Sequence, residues 1–187
     1  MVNKQISNLF QAQSQVIASY EYTDIATNTG YLTFYLIKPT GGNLLSQSAN
    51  ITGYNMYLEN DSTTSTFQVQ IKKPLVVEGD CFVQLALDTS SNSTISCSLV
   101  KNSGGTETTI GTSGNQNVNS TNKAKYAWRI SCTKTYFKRN DYLYFKVTSN
   151  QNNTYILCDP TDSEVTTPNG AQSSTQSKIL VPVRIEL

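Results

Sequence analysis

Asp159, Asp162 and Glu164 form the densest group of carboxylates in the chain, three and two positions apart. Carboxylates spaced this way in a loop can coordinate a hard cation such as calcium. They follow no EF-hand pattern, so a solvated turn is the better reading and no metal is assigned. Glu78 and Asp80 precede a strand and read as turn residues. Glycosidase chemistry needs two carboxylates facing each other across a cleft, which no spacing here shows. Histidine is absent from all 187 residues. That removes Ser-His-Asp and Cys-His relays, and every histidine-ligated metal centre, in one step. No catalytic residue, metal or cofactor is expected, and the chain reads as non-enzymatic.

Cys81, Cys97, Cys132 and Cys158 are far apart and form no CxxC pair. Cys97 and Cys132 fall on the apolar phase of alternating runs, where a cysteine acts as a small hydrophobe. Reduced, buried thiols are expected, with one or two disulfides as the alternative; zinc held by four thiolates would draw its ligands from close pairs. Lys138 and Arg139, with Lys134 and Lys146 nearby, read as a solvated basic turn. Tyr31, Tyr35, Tyr142 and Tyr144 stand on the nominally wet phase of two strands. Exposed tyrosine supplies large amphipathic area at low entropic cost, so these four are candidates for an interface or a glycan contact.

The elements that place these residues are strands. Lys123 to Thr148 is the anchor: Tyr126, Trp128, Ile130 and Cys132 alternate with Lys125, Ala127, Arg129 and Ser131, and after a turn at Lys138–Asp141, Leu143, Phe145 and Val147 alternate with Tyr142, Tyr144 and Lys146. Period two marks half-buried strands. Trp128, Phe145 and Leu85 are the expected core anchors. Gly79-Asp80 reads as a turn equivalent to Asn140-Asp141, and Gly111 to Asn122 as a polar loop. Pro182 in the last strand points to an edge or a bulge. Residues 4 to 18 alone carry helical spacing, through Ile6, Leu9 and Phe10, and suggest a short N-terminal helix or arm. The expectation is all-β: a two-sheet antiparallel jelly-roll sandwich over residues 21–187, preceded by an arm over residues 1–20, with an immunoglobulin-like sandwich as runner-up.

Ser, Thr, Asn and Gln number 75, against 27 charged residues and a formal charge of +1. The surface is polar but mostly uncharged, which gives no electrostatic footprint for nucleic acid or anionic lipid. Five Asn-x-Ser/Thr sequons match what so much Asn, Ser and Thr produces by chance. No apolar leader opens the chain and no stretch is long enough to span a bilayer, so synthesis in a cytoplasm is expected.

Tyr22-Thr23-Asp24-Ile25-Ala26, a turn ending at Gly30, and Tyr31-Leu32-Thr33-Phe34-Tyr35 open a pattern that continues through Trp128, Phe137-Lys138-Arg139-Asn140-Asp141, Leu143 and Asp159-Pro160. Over residues 20 to 160 this resembles the jelly-roll virion structural proteins of bacteriophages and related viruses. The resemblance implies a virion subunit of capsid, decoration or fibre-associated type, with no catalytic residues. A homotrimer meeting other virion proteins is the expected partnership, with the arm and the Gly111 and Thr161 loops making contacts. The alternative is a carbohydrate-binding module or adhesin tip that takes a host glycan.

Overall fold

The computed structural model describes residues 29–39, 42–48, 55–57, 64–89, 91–118, 123–151, 154–158 and 176–184. The expected N-terminal arm with Ile6, Leu9 and Phe10, and the Asp159, Asp162 and Glu164 group, lie outside these residues. Among the described residues every regular element is a strand: β1 Thr29–Ile37, β2 Leu44–Ser46, β3 Asn55–Tyr57, β4 Thr64–Gln70, β5 Leu75–Thr89, β6 Ser93–Ser103, β7 Thr106–Thr112, β8 Gln116–Val118, β9 Ala124–Phe137, β10 Tyr142–Ser149, β11 Thr154–Leu157 and β12 Lys178–Arg184. No helix among them is long and apolar enough to cross a membrane.

The strands join in one mixed sheet, β3-β11-β5-β12-β1-β2-β4-β10-β6-β7, with β9 paired to β5 and β8 to β6. All pairs are antiparallel except β2 with β4, which run parallel at Leu44 and Gln68. Four antiparallel pairs nest one inside another along the chain: β1 with β12, β4 with β10, β5 with β9, and β6 with β7. The longer strands β1, β6 and β10 bury alternate residues, and these meet with inward residues of β4, β5, β9 and β12 in the main core. Phe145 stands opposite Phe67 across β10 and β4, with ring centroids 6.3 Å apart. Phe145, Leu85 and Trp128 are all buried, as expected of core anchors.

The free end of the path, β7, comes back close across β9, the strand paired to β5. A Cβ built on Gly111 would sit 2.7 Å from Ile130 Cγ2 and 2.8 Å from the Ser131 carbonyl oxygen. The Thr133 hydroxyl donates to the Ile110 carbonyl at 3.1 Å beside this contact. The region expected as a loop from Gly111 onward is therefore partly strand: β7 runs to Thr112, and β8 pairs with the start of β6. β2 is a second strand that the alternation pattern does not reveal, since three residues are too few to show a period.

The expected Gly79-Asp80 turn is instead an irregularity inside β5, which continues through it for 15 residues. Gly79 takes a φ of +113°, a conformation that glycine adopts without strain. Six residues of β5, Val77 to Phe82, face four of β12, Leu180 to Val183, so the ladder slips where Pro182 has no N–H to donate. On the other side Val77 faces Thr135 but Gly79 faces Cys132. β9 thus uses four residues, Cys132 to Thr135, where β5 uses three, and its inward phase shifts at this bulge. Phe137 is fully buried as a result, and Tyr136 points outward at 48% exposure.

Because one of the two close neighbours of a Gly111 side chain is backbone, Gly111→Ala is expected to lower unfolding free energy by about 1–3 kcal/mol. Urea titration of the two proteins checks it, and an unchanged midpoint contradicts the close passage of β7 over β9.

Candidate functional site

The predicted tyrosines do not form one platform. Tyr31 and Tyr35 lie on β1, while Tyr142 and Tyr144 lie on β10, three strands further along the sheet path. The Tyr142 and Tyr144 rings stand 6.1 Å apart, half-buried, among the amides Gln68 and Gln70 of β4. Beside them Lys146 Nζ is 2.6 Å from Glu107 Oε2.

A second group emerges around Tyr31 on the side of β9, β5, β12 and β1 away from the core. Arg129, Phe82, Leu180 and Thr33 stand in register across these four strands. Ala127, Gln84, Lys178 and Tyr35 form the next row. Phe82 is 44% exposed, and its ring centroid is 6.0 Å from that of Tyr31. Beside it, Asp80 accepts from Ser131 Oγ at 2.8 Å and from Arg129 Nη2 at 2.5 Å. The bond from Arg129, then that from Ser131, hold the Asp80 carboxyl below its ordinary value, and the same partner raises Arg129. Further along the face, Arg184 Nη1 is 3.4 Å from Glu78 Oε2.

This arrangement can bind but does not activate a nucleophile. An ionised carboxylate already held by a guanidinium is a weak base, and Ser131 donates to it without any imidazole to take the proton onward. What the face offers is an exposed aromatic beside an oriented guanidinium, the residue types that anchor interfaces and planar ligands. Phe82, Arg129 and Ser131 were not singled out from the sequence and Asp80 was read as a turn residue, because Asp80 and Arg129 lie 49 positions apart and meet only through strand register. One signal was available: Phe82 occupies the wet phase between Cys81 and Val83.

The basic turn has a different role from a ligand patch. Lys134, Lys138 and Arg139 are exposed, but Asp141 at the turn's end is buried. Its carboxylate accepts from the Lys138 N–H at 2.8 Å and from Ser103 Oγ at 2.7 Å, with Lys101 Nζ 3.2 Å away. Asn140, at φ 73°, supplies the left-handed step of the turn. Burial pushes the Asp141 carboxyl up, but the donors from Lys138, Ser103 and Lys101 together hold it below the ordinary 3.8.

Cys81, Cys97, Cys132 and Cys158 are buried thiols with no disulfide among them. Burial pushes Cys132 up to about 11, and Cys81 and Cys97 further still. They are inert hydrophobes at neutral pH rather than nucleophiles.

No family model and no curated protein matches the sequence. In fold the chain is similar to a CocE/NonD family hydrolase from Staphylococcus aureus, known from two structures. Both give a TM-score of 0.64 at 10% identity, over 83% and 84% of this chain and 37% of that one. An alpha-amino acid ester hydrolase aligns over 81% of this chain and 35% of its own, at 15% identity and TM-score 0.49. The chain thus spans little more than a third of these hydrolases. The finding overturns the expectation of a non-enzymatic virion structural protein and its carbohydrate-binding alternative. Those expectations rested on missing histidine, on uncharged loops and on the resemblance over residues 20 to 160. The first removes a histidine relay from these 187 residues without bearing on an enzyme of which such a fold is one part, and the second is as compatible with a hydrolase as with a capsid.

The Asp141 contacts exist for the ionised carboxylate, whose folded-state pKa lies below its unfolded one. Their contribution is complete above the unfolded value near 3.8 and is lost as pH falls through the lower, folded value. Asp141→Asn is expected to flatten this acid limb and to cost about 1–3 kcal/mol at neutral pH, read from urea unfolding between pH 2 and 7. An acid limb unchanged by the substitution would show that Asp141 carries none of it. Reaction with a disulfide reagent such as Ellman's at pH 7.5 is expected to be negligible for the folded protein and to release four equivalents after unfolding in guanidinium. Rapid release before unfolding contradicts the buried placement.

Proposed function

We propose that this chain is the jelly-roll β domain of a hydrolytic enzyme. The observation that carries the reading is the shared fold at TM-score 0.64 over 83% of this chain and 37% of a hydrolase chain. The nested pairing of β1 with β12, β4 with β10, β5 with β9 and β6 with β7 is the winding expected of a jelly roll, and supports the finer fold assignment. In this reading the bond-cleaving relay, with any histidine it uses, comes from outside these 187 residues, either in the same polypeptide or in a partner. The β domain contributes a rigid wall, and its β9-β5-β12-β1 face, with Tyr31, Phe82, Arg129 and Asp80, meets the catalytic part at the edge of the substrate cleft. Sites built on strands hold such residues more firmly than loops do.

The native assembly that contains the chain is expected to hydrolyse short acyl esters or aminoacyl amides. The double substitution Phe82→Ala and Arg129→Ala is expected to lower kcat/KM about 10-fold or more without changing the unfolding midpoint by more than about 2 °C. Assays with p-nitrophenyl esters and aminoacyl p-nitroanilides measure it. A native assembly that cleaves neither class overturns the proposal.

A further inference from the structure

We infer that one end of the core is a binding site for a single ordered water molecule, built by the hydroxyls of Thr89, Ser93, Ser149 and Thr154. This is independent of the hydrolase reading. The four side chains come from four strands: the last residue of β5, the first of β6, the last of β10 and the first of β11. Each continues the inward phase of its strand, after or before Leu87, Ile95, Val147 and Ile156, all of them core residues. None of the four is more than 3% exposed. The apolar core therefore ends in a layer of hydroxyls rather than in solvent.

Three of these hydroxyls are joined by protein hydrogen bonds. Ser149 Oγ and Thr154 Oγ1 are 3.0 Å apart, and Ser93 Oγ and Thr154 Oγ1 are 3.4 Å apart. Ser93 Oγ donates to the Ser91 carbonyl at 3.1 Å, and Ser149 Oγ accepts from the Gln151 N–H at 3.2 Å. Thr89 Oγ1 is buried and has no partner among the described residues. A buried hydroxyl left unpaired is costly, and such groups are met by internal water that finds two to four polar partners.

Geometry supplies those partners. Thr89 and Thr154 are directly opposite across β5 and β11 and share the inward side. Opposed residues in an antiparallel pair hold their Cβ atoms about 4.5–5.5 Å apart. Thr89 Oγ1 nonetheless makes no direct bond to Thr154, unlike the opposed Thr64 and Thr148 hydroxyls at 3.0 Å, and one water with bonds of about 2.8 Å joins the two. Thr154 Oγ1 and Ser93 Oγ then complete its shell with Thr89 Oγ1. No carboxylate belongs to the layer, so a cation would lose hydration there with no anion to replace it, and the ligand is neutral. Next to the layer the Thr94 N–H donates to Asn150 Oδ1 at 2.7 Å and the Asn150 N–H to the Thr94 carbonyl at 3.1 Å, so the water lies where the β5–β6 and β10–β11 connections are already tied together.

Thr89→Val keeps the side-chain shape and removes the hydroxyl, so the sign of its effect decides. With a bound water the substitution strands that water and lowers the thermal midpoint by about 2–6 °C; with an orphan hydroxyl it raises the midpoint or leaves it alone. A crystal structure of the unsubstituted protein at about 1.5 Å gives a second readout, with the expected water within hydrogen-bond distance of Thr89 Oγ1 and of Thr154 Oγ1 or Ser93 Oγ. A raised or unchanged midpoint, or no water at that position, overturns the inference. Exchanging sodium or potassium for tetramethylammonium is expected to leave the midpoint where it is; dependence on the alkali cation would assign the site to an ion and overturn the neutral ligand.

Discussion

The closure of the core depends on β7 coming to rest directly on β9, and that close contact is unstrained because residue 111 has no Cβ. The neighbours that a Cβ would meet are the Ile130 side chain and the Ser131 carbonyl, and a carbonyl in a strand cannot move aside without losing its ladder. Once β7 lies there, the last strand of the hydrogen-bonded path faces the β9–β5 ladder and their inner sides share one core. Phe67, Phe145, Leu85, Ile130 and Trp128 then bury one another instead of facing water. Fully burying such side chains is worth about 1.5–3 kcal/mol each, far more than any of the exposed ion pairs on the outside.

Closing the core also determines what is left to meet other molecules. The side carrying β4 and β10 is dressed with amides and hydroxyls, and its tyrosines are half-covered. The side carrying β9, β5, β12 and β1 shows an exposed Phe82 beside an oriented Arg129. Its geometry follows from backbone irregularities more than from side chains. Gly79 lets β5 slip past Pro182, and the extra residue in β9 brings Tyr136 rather than Phe137 to the surface. Asp80, which would serve only as a turn residue in a hairpin, is held there in mid-strand and can orient the guanidinium across from it.

Much of the core was legible in the sequence, because alternation is a direct imprint of a half-buried strand. The phases of Trp128, Ile130 and Cys132, and of Leu143, Phe145 and Val147, read inward and are inward. Pro182 announced its bulge because it lacks a donor. The rest depended on contacts between distant segments. Gly79 resembled a turn, since glycine before aspartate signals one locally, and only pairing on both sides keeps the strand running through it. Gly111 stood in a polar stretch whose composition says loop, while its function is to make room for β9. The Asp80 and Arg129 pair required the register of β5 on β9. The expected function failed for other reasons: absent histidine constrains what these residues can catalyse alone and was extended to what they can belong to, and the virion role was drawn from polar loops and a resemblance in short turn and strand motifs that carry no chemistry.

The most direct test of the account is where the β9-β5-β12-β1 face lies in the working assembly. A photoreactive residue placed as Phe82→p-benzoylphenylalanine, with Tyr144→p-benzoylphenylalanine as its counterpart on β10, can be crosslinked in the native assembly and mapped by mass spectrometry. The account predicts a crosslink from position 82 into a segment that carries the nucleophile and histidine of a hydrolase, and none into it from position 144. A crosslink into that segment from position 144 alone, or none from either, would contradict it.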